Sequence, residues 1–412
     1  MNAQIIQIRD EFNAPHNLEQ QGNRCLRITT LDSYERCKEL VYEERDGYTN
    51  WVNHILESCH NLQAIDEFRV RFDLDESYTD DIDGWVRFAF ERKVKRFELF
   101  LSPDEEGGPY YTKECYPLSL QVFHSPQISS NISLTSLILN HVNVSDQVVE
   151  YLISNSPFLE RLCVVGSESL IDLRVAGPSL SLKYVEIIFC GYLESVQLNA
   201  VNLSSFKYVG FKIEISFVNI PNLVELYIGG DQLESFSREL PDLVSTSFSQ
   251  LQKLVLRPNS RVMKKTARIK IPLLSQLKQL ELHVKVDSTA DSLLDYSTAL
   301  IKSCPSLDRF ALELRCFEPF KRRKVKRPKN YPHHSLKLVE VTGFLGQTVD
   351  IEFCRYLIEN AIMLEKIIIN PCFLFYKGTA YGILYVEVEK AARERAEQFR
   401  SKYCLGDKLV IV

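Results

Sequence analysis

Residues 134–166 read LTSLILNHVNVSDQVVEYLISNSPFLERLCVVG. The two ends are written alike, because LTSLIL from Leu134 and LERLCV from Leu159 both place large apolar residues first, fourth and sixth. Residues two apart in a strand share a face, so Leu137 and Leu139 point one way, as do Leu162 and Val164. Between them, Ser145 stands where an N-cap would, and Val148, Val149, Leu152 and Ile153 fall on one helical stripe that ends before Pro157. Strand, helix and strand again make a unit with one apolar face, which is buried only if the unit stacks on its own kind.

The same L-x-x-L-x-L pattern, with other large apolar residues allowed, opens at Ile65, Val94, Leu134, Leu159, Leu182, Phe206, Leu223, Leu251, Leu277, Leu307, Leu336 and Leu364. From Leu134 to Leu182 the steps are 25 and 23 residues, and from Leu223 to Leu364 they are 28, 26, 30, 29 and 28. A shared ending precedes several openings, as in ESCHNL, SNSPFL, KSCPSL and ENAIML. Further helices are expected at Asp83 to Val94 and at Thr289 to Ser303. The fold predicted is an α/β leucine-rich-repeat solenoid, a horseshoe with parallel β-strands on its concave face and helices and turns on its convex face. Cys190 and Asn259 occupy the Asn/Cys position of the fuller repeat, which His141 and Val142 do not respect. Between Leu182 and Leu223, where LESVQL at Leu193 interposes, the returns are expected to be short turns.

Composition agrees with a globular, water-soluble chain: of 412 residues, 45% are hydrophobic and 25% charged. The N-terminus MNAQIIQIRDEF carries no signal-like apolar run, and no stretch approaches a membrane span of about 20 apolar residues. The 11 cysteines are scattered singly without a CxxC, as reduced thiols of the nucleus or cytoplasm would be. A net charge of −5 speaks against nucleic acid as a general partner.

FRVRFDLDESYTDDIDGWVRFAFERKVKRFELFLSP (68–103), YYTKECYPLSLQVF and LTSLILNHVNV resemble the plant F-box/leucine-rich-repeat proteins. HSLKLVEVTGFLGQTVDIEFCRYLIENAIMLEKIIINP (334–371) resembles the FBD domain that ends many of them. The resemblance implies repeats that hold a protein substrate, and an N-terminal F-box that binds the Skp-type adaptor of a cullin ubiquitin ligase. Residues 1–47 show no leucine-proline opening, no helical triplet and no closing arginine-tryptophan pair, and Arg36 to Arg45 reads as a linker or strand. The organisation expected is a polar N-terminal segment, a divergent or truncated F-box region, over 1–47, the solenoid over 48–331, and FBD-like repeats with a closing helix over 332–412. Two functions follow: a non-catalytic protein-binding module, or a substrate receptor coupled through a divergent or missing F-box.

DLDESYTDDIDG (73–84) alternates acids as a calcium loop does, but Tyr78 stands where the turn glycine is required and Gly84 where the bidentate glutamate is. It reads instead as a solvated loop capping a helix that starts near Asp83. No zincin, nucleophile-elbow, Walker or dinucleotide motif is present, so no catalytic, cofactor or metal residue is assigned. His333 and His334 read as a plain polar loop. The run Lys321, Arg322, Arg323, Lys324, Lys326, Arg327 and Lys329 reads as a nuclear-import signal or anion-binding patch, or else as a solvated loop. VEVEKAARERAEQFRSKY reads as a solvated closing helix.

In this register the concave face carries Arg69, Arg71, Arg96, Ser136, Ile138, Asn140, Arg161, Glu186, Tyr227, Lys253, Arg257, His283 and Arg309, with Glu67, Glu98, Glu225, Glu281 and Glu313 among them. Mixed charge with occasional aromatics suits a protein partner.

Overall fold

The computed structural model describes residues 5–8, 31–102, 114–128, 132–176, 181–258, 262–263, 271–286, 293–316, 331–371 and 382–412. They divide between a first unit, Met1–Leu203 with Ile213–Ile220, and a second, Ser204–Lys212 with Pro221–Val412. The first holds β1 (Ile5–Ile8), β2 (Glu67–Arg71), β3 (Arg96–Phe100), β4 (Tyr116–Leu118), β5 (Ser136–Asn140), β6 (Val142–Val144), β7 (Arg161–Val165), β8 (Asp172–Ala176), β9 (Tyr184–Ile188), β10 (Ser195–Asn199) and β12 (Glu214–Asn219). The second holds β11 (Ser205–Gly210), β13 (Glu225–Gly230), β14 (Lys253–Arg257), β15 (Gln279–Val286), β16 (Arg309–Cys316), β17 (Leu338–Thr342), β18 (Lys366–Asn370) and β19 (Leu409–Ile411).

In the first unit β1, β2, β3, β5, β7 and β9 lie side by side in that order, each pair parallel. In the second the parallel order is β11, β13, β14, β15, β16, β17, β18, β19. The register stacks each repeat's apolar residues on the last. Phe68, Phe97, Leu137, Leu162 and Val185 are successive partners, and all are 0–1% exposed. Phe206, Leu226, Leu254, Leu280, Phe310, Val339, Ile367 and Leu409 form the equivalent buried row of the second unit. The chain is the expected leucine-rich-repeat solenoid, held by apolar ladders in which each residue touches its counterparts one repeat away. Leu162→Ala leaves a hole in the middle of such a row, and urea unfolding should show a loss of about 2–5 kcal/mol.

One repeat is framed differently from expectation. Elsewhere the strand begins two residues after the opening apolar residue, and β11 begins at Ser205, so the buried Leu203 opens this repeat and Phe206 is its second apolar residue. The returns around it also differ. β10 and β12, in the stretch where turns were expected, join β8 in a separate parallel sheet, with LESVQL supplying β10. Leu173, Val175, Val196 and Leu198 point inward from it by alternation. Repeats of this length have too few residues for a helix, and an extended return closes them.

Longer returns are helical: α1 (Leu31–Ser58), α2 (Thr79–Glu91) and α3 (Asp146–Asn155) in the first unit, then α4 (Gln232–Thr246), α5 (Leu293–Lys302), α6 (Thr348–Asn360) and α7 (Gly382–Lys402) in the second. Ser145 does sit at the N-cap of α3, but its side chain makes no capping bond. Asp146 instead accepts from the backbone N–H groups of Ile171 and Asp172 at 2.8 and 3.0 Å, tying α3 to β8. α7 is not solvated all round, since Ala392, Ala396 and Phe399 are buried along one stripe.

The segment read as linker or strand is helix α1, and the acidic stretch read as a solvated loop holds it down. Arg45 is 8% exposed and reaches Asp75 at 2.6 Å and Asp73 at 2.7 Å. Asn53 donates to Asp81 at 2.7 Å and accepts from the Trp85 indole N–H at 2.7 Å, while the Tyr78 hydroxyl donates to Asp46 at 2.8 Å. Asp75 also caps a 3₁₀ turn, Glu76–Tyr78, that runs straight into α2, so the helix starts at Thr79 rather than near Asp83. Tyr48 stacks on Phe72 with ring centroids 3.9 Å apart. Both are ordinary core contacts, and the acids are structural anchors.

His333 is likewise no plain loop residue. It is buried, with Nε2 2.8 Å from the Cys304 carbonyl and Nδ1 3.1 Å from the Leu336 N–H. That N–H must donate, so the ring is neutral with its proton on Nε2, and protonating Nδ1 would set two donors against each other. Burial holds the imidazole below its usual pKa, against the pull of the Cys304 carbonyl. The unfolded chain takes up the proton first, so this contribution to stability is full above about pH 6.5 and is lost as pH falls toward the lower folded value. Asp350, pushed up to about 6 by burial against the N–H groups of Leu345, Gly346 and Ile351, runs the other way: its contribution is full below 3.8 and lost as pH rises through about 6. The histidine is therefore read from a difference. Between about pH 7 and pH 5 the wild type should lose more stability than His333→Gln in urea titrations, and parallel curves would sink the assignment.

Candidate protein-binding face

Each face strand presents alternate residues away from the apolar rows, and the register lines these up too. In the first unit one row runs Glu67, Arg96, Ser136, Arg161, Tyr184 and the next Arg69, Glu98, Ile138, Cys163, Glu186. Glu67 receives Arg69 at 2.5 Å and Arg96 at 3.0 Å, and Glu98 receives Arg69 at 2.9 Å and Arg71 at 2.6 Å. Both glutamates are buried under the arginines that cover them. Two strands on, the Arg161 guanidinium lies over the Tyr184 ring at 4.0 Å and 3.7 Å from Glu186, which also accepts from the Tyr184 hydroxyl at 2.6 Å. Burial raises the Tyr184 phenol, and the adjoining Glu186 carboxylate raises it further. Burial and Glu186 together push the Cys163 thiol up to about 12, so it stays protonated and is no nucleophile at neutral pH.

Ser136 and Ile138 are half-buried on this face, as expected. Asn140 is not, since it is 4% exposed and its side-chain oxygen lies 2.7 Å from His141 Nδ1. His141 has φ +53 and turns the chain off the face immediately after β5, which pulls Asn140 inward.

In the second unit the face charges form a chain. Lys253 bridges Glu225 at 2.8 Å and Glu281 at 3.6 Å, and Arg309 bridges Glu281 at 3.2 Å and Glu340 at 2.8 Å. His283 lies 3.2 Å from Glu313, which also takes Arg315 at 2.7 Å, and the His283 ring meets Tyr227 edge-on at 5.6 Å. Lys207 sits 5.0 Å over the Tyr227 ring. Burial raises the Tyr227 phenol, with Arg257 opposing. His283, 3.8 Å away, leads in holding Glu281 below the usual carboxylate range, helped by Lys253 and Arg309 against burial. A sheet this closely cross-linked offers fixed, preorganised donors and acceptors.

Tyr184, Lys207, Arg315 and Glu340 belong to the face but were not read from the sequence. Lys207 was hidden by the shifted frame, and becomes visible once Leu203 opens its repeat. Tyr184 and Glu340 occupy the same register positions as Ser136 and Ile138 and needed only that rule applied throughout. Among the described residues no group of three His, Cys, Asp or Glu is placed to hold a metal, and no helix is long and apolar enough to cross a membrane. The basic run 321–329 and Asn259 lie outside the described residues.

Residues 55–380 match the family described as the LRR domain of At1g61320/AtMIF1. The chain belongs to that plant leucine-rich-repeat family. The Arabidopsis thaliana F-box/FBD/LRR-repeat protein At1g13570 is 27% identical over 326 residues, 73% of this chain and 72% of that protein. The F-box/LRR-repeat protein At3g03360 of the same plant is 28% identical over 156 residues, 35% of this chain and 32% of its own length. F-box/FBD/LRR-repeat protein At5g53840, also from Arabidopsis thaliana, is 26% identical over 260 residues, 59% of this chain and 56% of the relative. Matches to the second and third thus span less than two thirds of those relatives. This leucine-rich-repeat chain is an interaction module of the F-box/LRR family.

Proposed function

We propose that the chain is a non-catalytic protein-binding module that plays the part of the substrate-recognition repeats of cullin-type ubiquitin-ligase F-box proteins. A partner protein is held on the strand faces, in the nucleus or cytoplasm. The observation that carries this is the laddered face itself: arginines, glutamates, Tyr184 and Tyr227 are locked by their neighbours on a rigid parallel sheet, so binding them costs little ordering entropy. Tyrosine and arginine are also the side chains that most often anchor protein interfaces.

The relatives' names carry the term F-box, and the family resemblance gives a second reading, that the chain couples to a ligase through a Skp-type adaptor and a cullin by a divergent or missing F-box. Co-precipitation of the full chain with a Skp-type adaptor and cullin separates the two. Adaptor retained in stoichiometric amount would make the chain a ligase component, whereas retention of a partner without adaptor supports the binding module alone.

A further inference from the structure

We infer that the strand face of the first unit takes an acidic peptide segment bearing an aliphatic side chain, its carboxylates on Arg96 and Arg161 and its apolar group on Ile138. This rests on the protein-binding reading above and names the chemistry of the partner.

The charges of this face are layered. Side chains of Arg96, Arg161 and Arg71 are 46, 44 and 40% exposed, while those of Glu67, Glu186 and Glu98 are 8, 13 and 6% exposed. An approaching chain therefore meets guanidinium groups, with the carboxylates beneath them already occupied. Arg96 spends Nε and Nη2 on Glu67, leaving part of its five-donor fork turned outward. Arg161 makes only a 3.7 Å approach to Glu186 and a stacking contact with Tyr184 among its described ion-pair and ring contacts. Guanidinium forks of this kind recognise carboxylates in paired geometry.

Register fixes the spacing. Arg96 and Arg161 flank Ser136 on the two strands beside it, so their backbones lie about 10 Å apart, two strand spacings. On a polyproline-II segment, with three residues per turn, residues three apart lie on one side and span about 9 Å, a comparable distance. Ile138 lies between Glu98 and Cys163 in the adjoining row, an apolar spot inside a charged rim, which is the layout of an anchor site. The buried glutamates cancel most of the positive charge, which disfavours a polyphosphate chain that draws affinity from net charge. The second unit layers its charges less completely: Glu281 is 16% exposed beneath Lys253 and Arg309 at 32% each, but Glu225 and Glu340 beside them are 37 and 30% exposed.

The test selects random phage-displayed peptides on the full chain and measures the strongest, made synthetically, by fluorescence anisotropy. Selected peptides should be acidic with a central aliphatic residue, and should weaken as salt rises. Arg161→Glu should weaken them by about ten- to a hundredfold. Arg174→Glu, at an exposed position of β8 on the separate sheet, should change nothing. Arg96→Gln gives a milder second variant, and circular dichroism melting confirms that each variant is folded. Neutral or basic peptides that still respond to Ile138→Ser would overturn the acidic inference while keeping the binding face. Peptides indifferent to every strand-face substitution would overturn both, and a random oligonucleotide binding the same face more tightly than any peptide would overturn the choice of partner.

Discussion

Replacing Arg45 by methionine should destabilise the first unit by about 3–5 kcal/mol, because it removes one side of a buried charge cluster and leaves the other. Asp75 and Asp73 would keep their carboxylates, 12 and 28% exposed at the side chain, with the guanidinium that neutralised them gone. Burial lowers the Arg45 pKa, but the hydrogen bond and charges of Asp73 and Asp75 outweigh it and leave the pKa raised. A methionine fills the stem's volume, so the loss reports charge rather than packing. Removing the acids as well, in Arg45→Met/Asp73→Asn/Asp75→Asn, should recover part of it. Hydrogen exchange in α1 should rise in the single variant, and a loss below about 1 kcal/mol would show that the cluster does not anchor α1.

Gly343→Ala should cost a comparable amount, about 3–5 kcal/mol from strained backbone and overpacking together. Gly343 has φ +75, and a Cβ there would stand 2.1 Å from the Leu314 carbonyl oxygen. That oxygen belongs to the backbone of β16, the partner strand of β17, so no side chain can swing aside and the strands themselves must part. Gly84 is the control. It lies inside α2 with nothing within 4 Å of its Cβ position, so Gly84→Ala should stabilise by up to about 1 kcal/mol. Equal effects of the two substitutions in a denaturant titration would contradict this geometry.

The repeat was legible because its signal is long-range: a buried row demands an apolar residue at the same place in every unit, from Phe68 to Val185 and from Phe206 to Leu409. Local patterns were less faithful. FKYVGF satisfies the template as well as LSSFKY does, and only pairing of Ser205 with Glu225 decides the frame. LESVQL is a true strand of the wrong sheet, since apolar alternation states that a strand has a buried face and not which sheet it joins. Helix α1 left a trace in the four-residue spacing of Tyr48, Val52 and Leu56, all buried, but its charged neighbours masked it. Tertiary partners such as Arg45 with Asp73 and Asp75, or His333 with Cys304, carry no sequence signature. Face membership followed from register, whereas Asn140 was misplaced because the positive φ of His141 is invisible in the sequence.

Photo-cross-linking of the full chain to the protein that co-purifies with it tests the central claim most directly. Benzoylphenylalanine is placed at Ser136 or Lys253 on the strand faces, and at the exposed Gln197 of β10 on the separate sheet. The account predicts covalent capture from Ser136 or Lys253 and none from Gln197. Capture from Gln197 with silence at both face positions would contradict it.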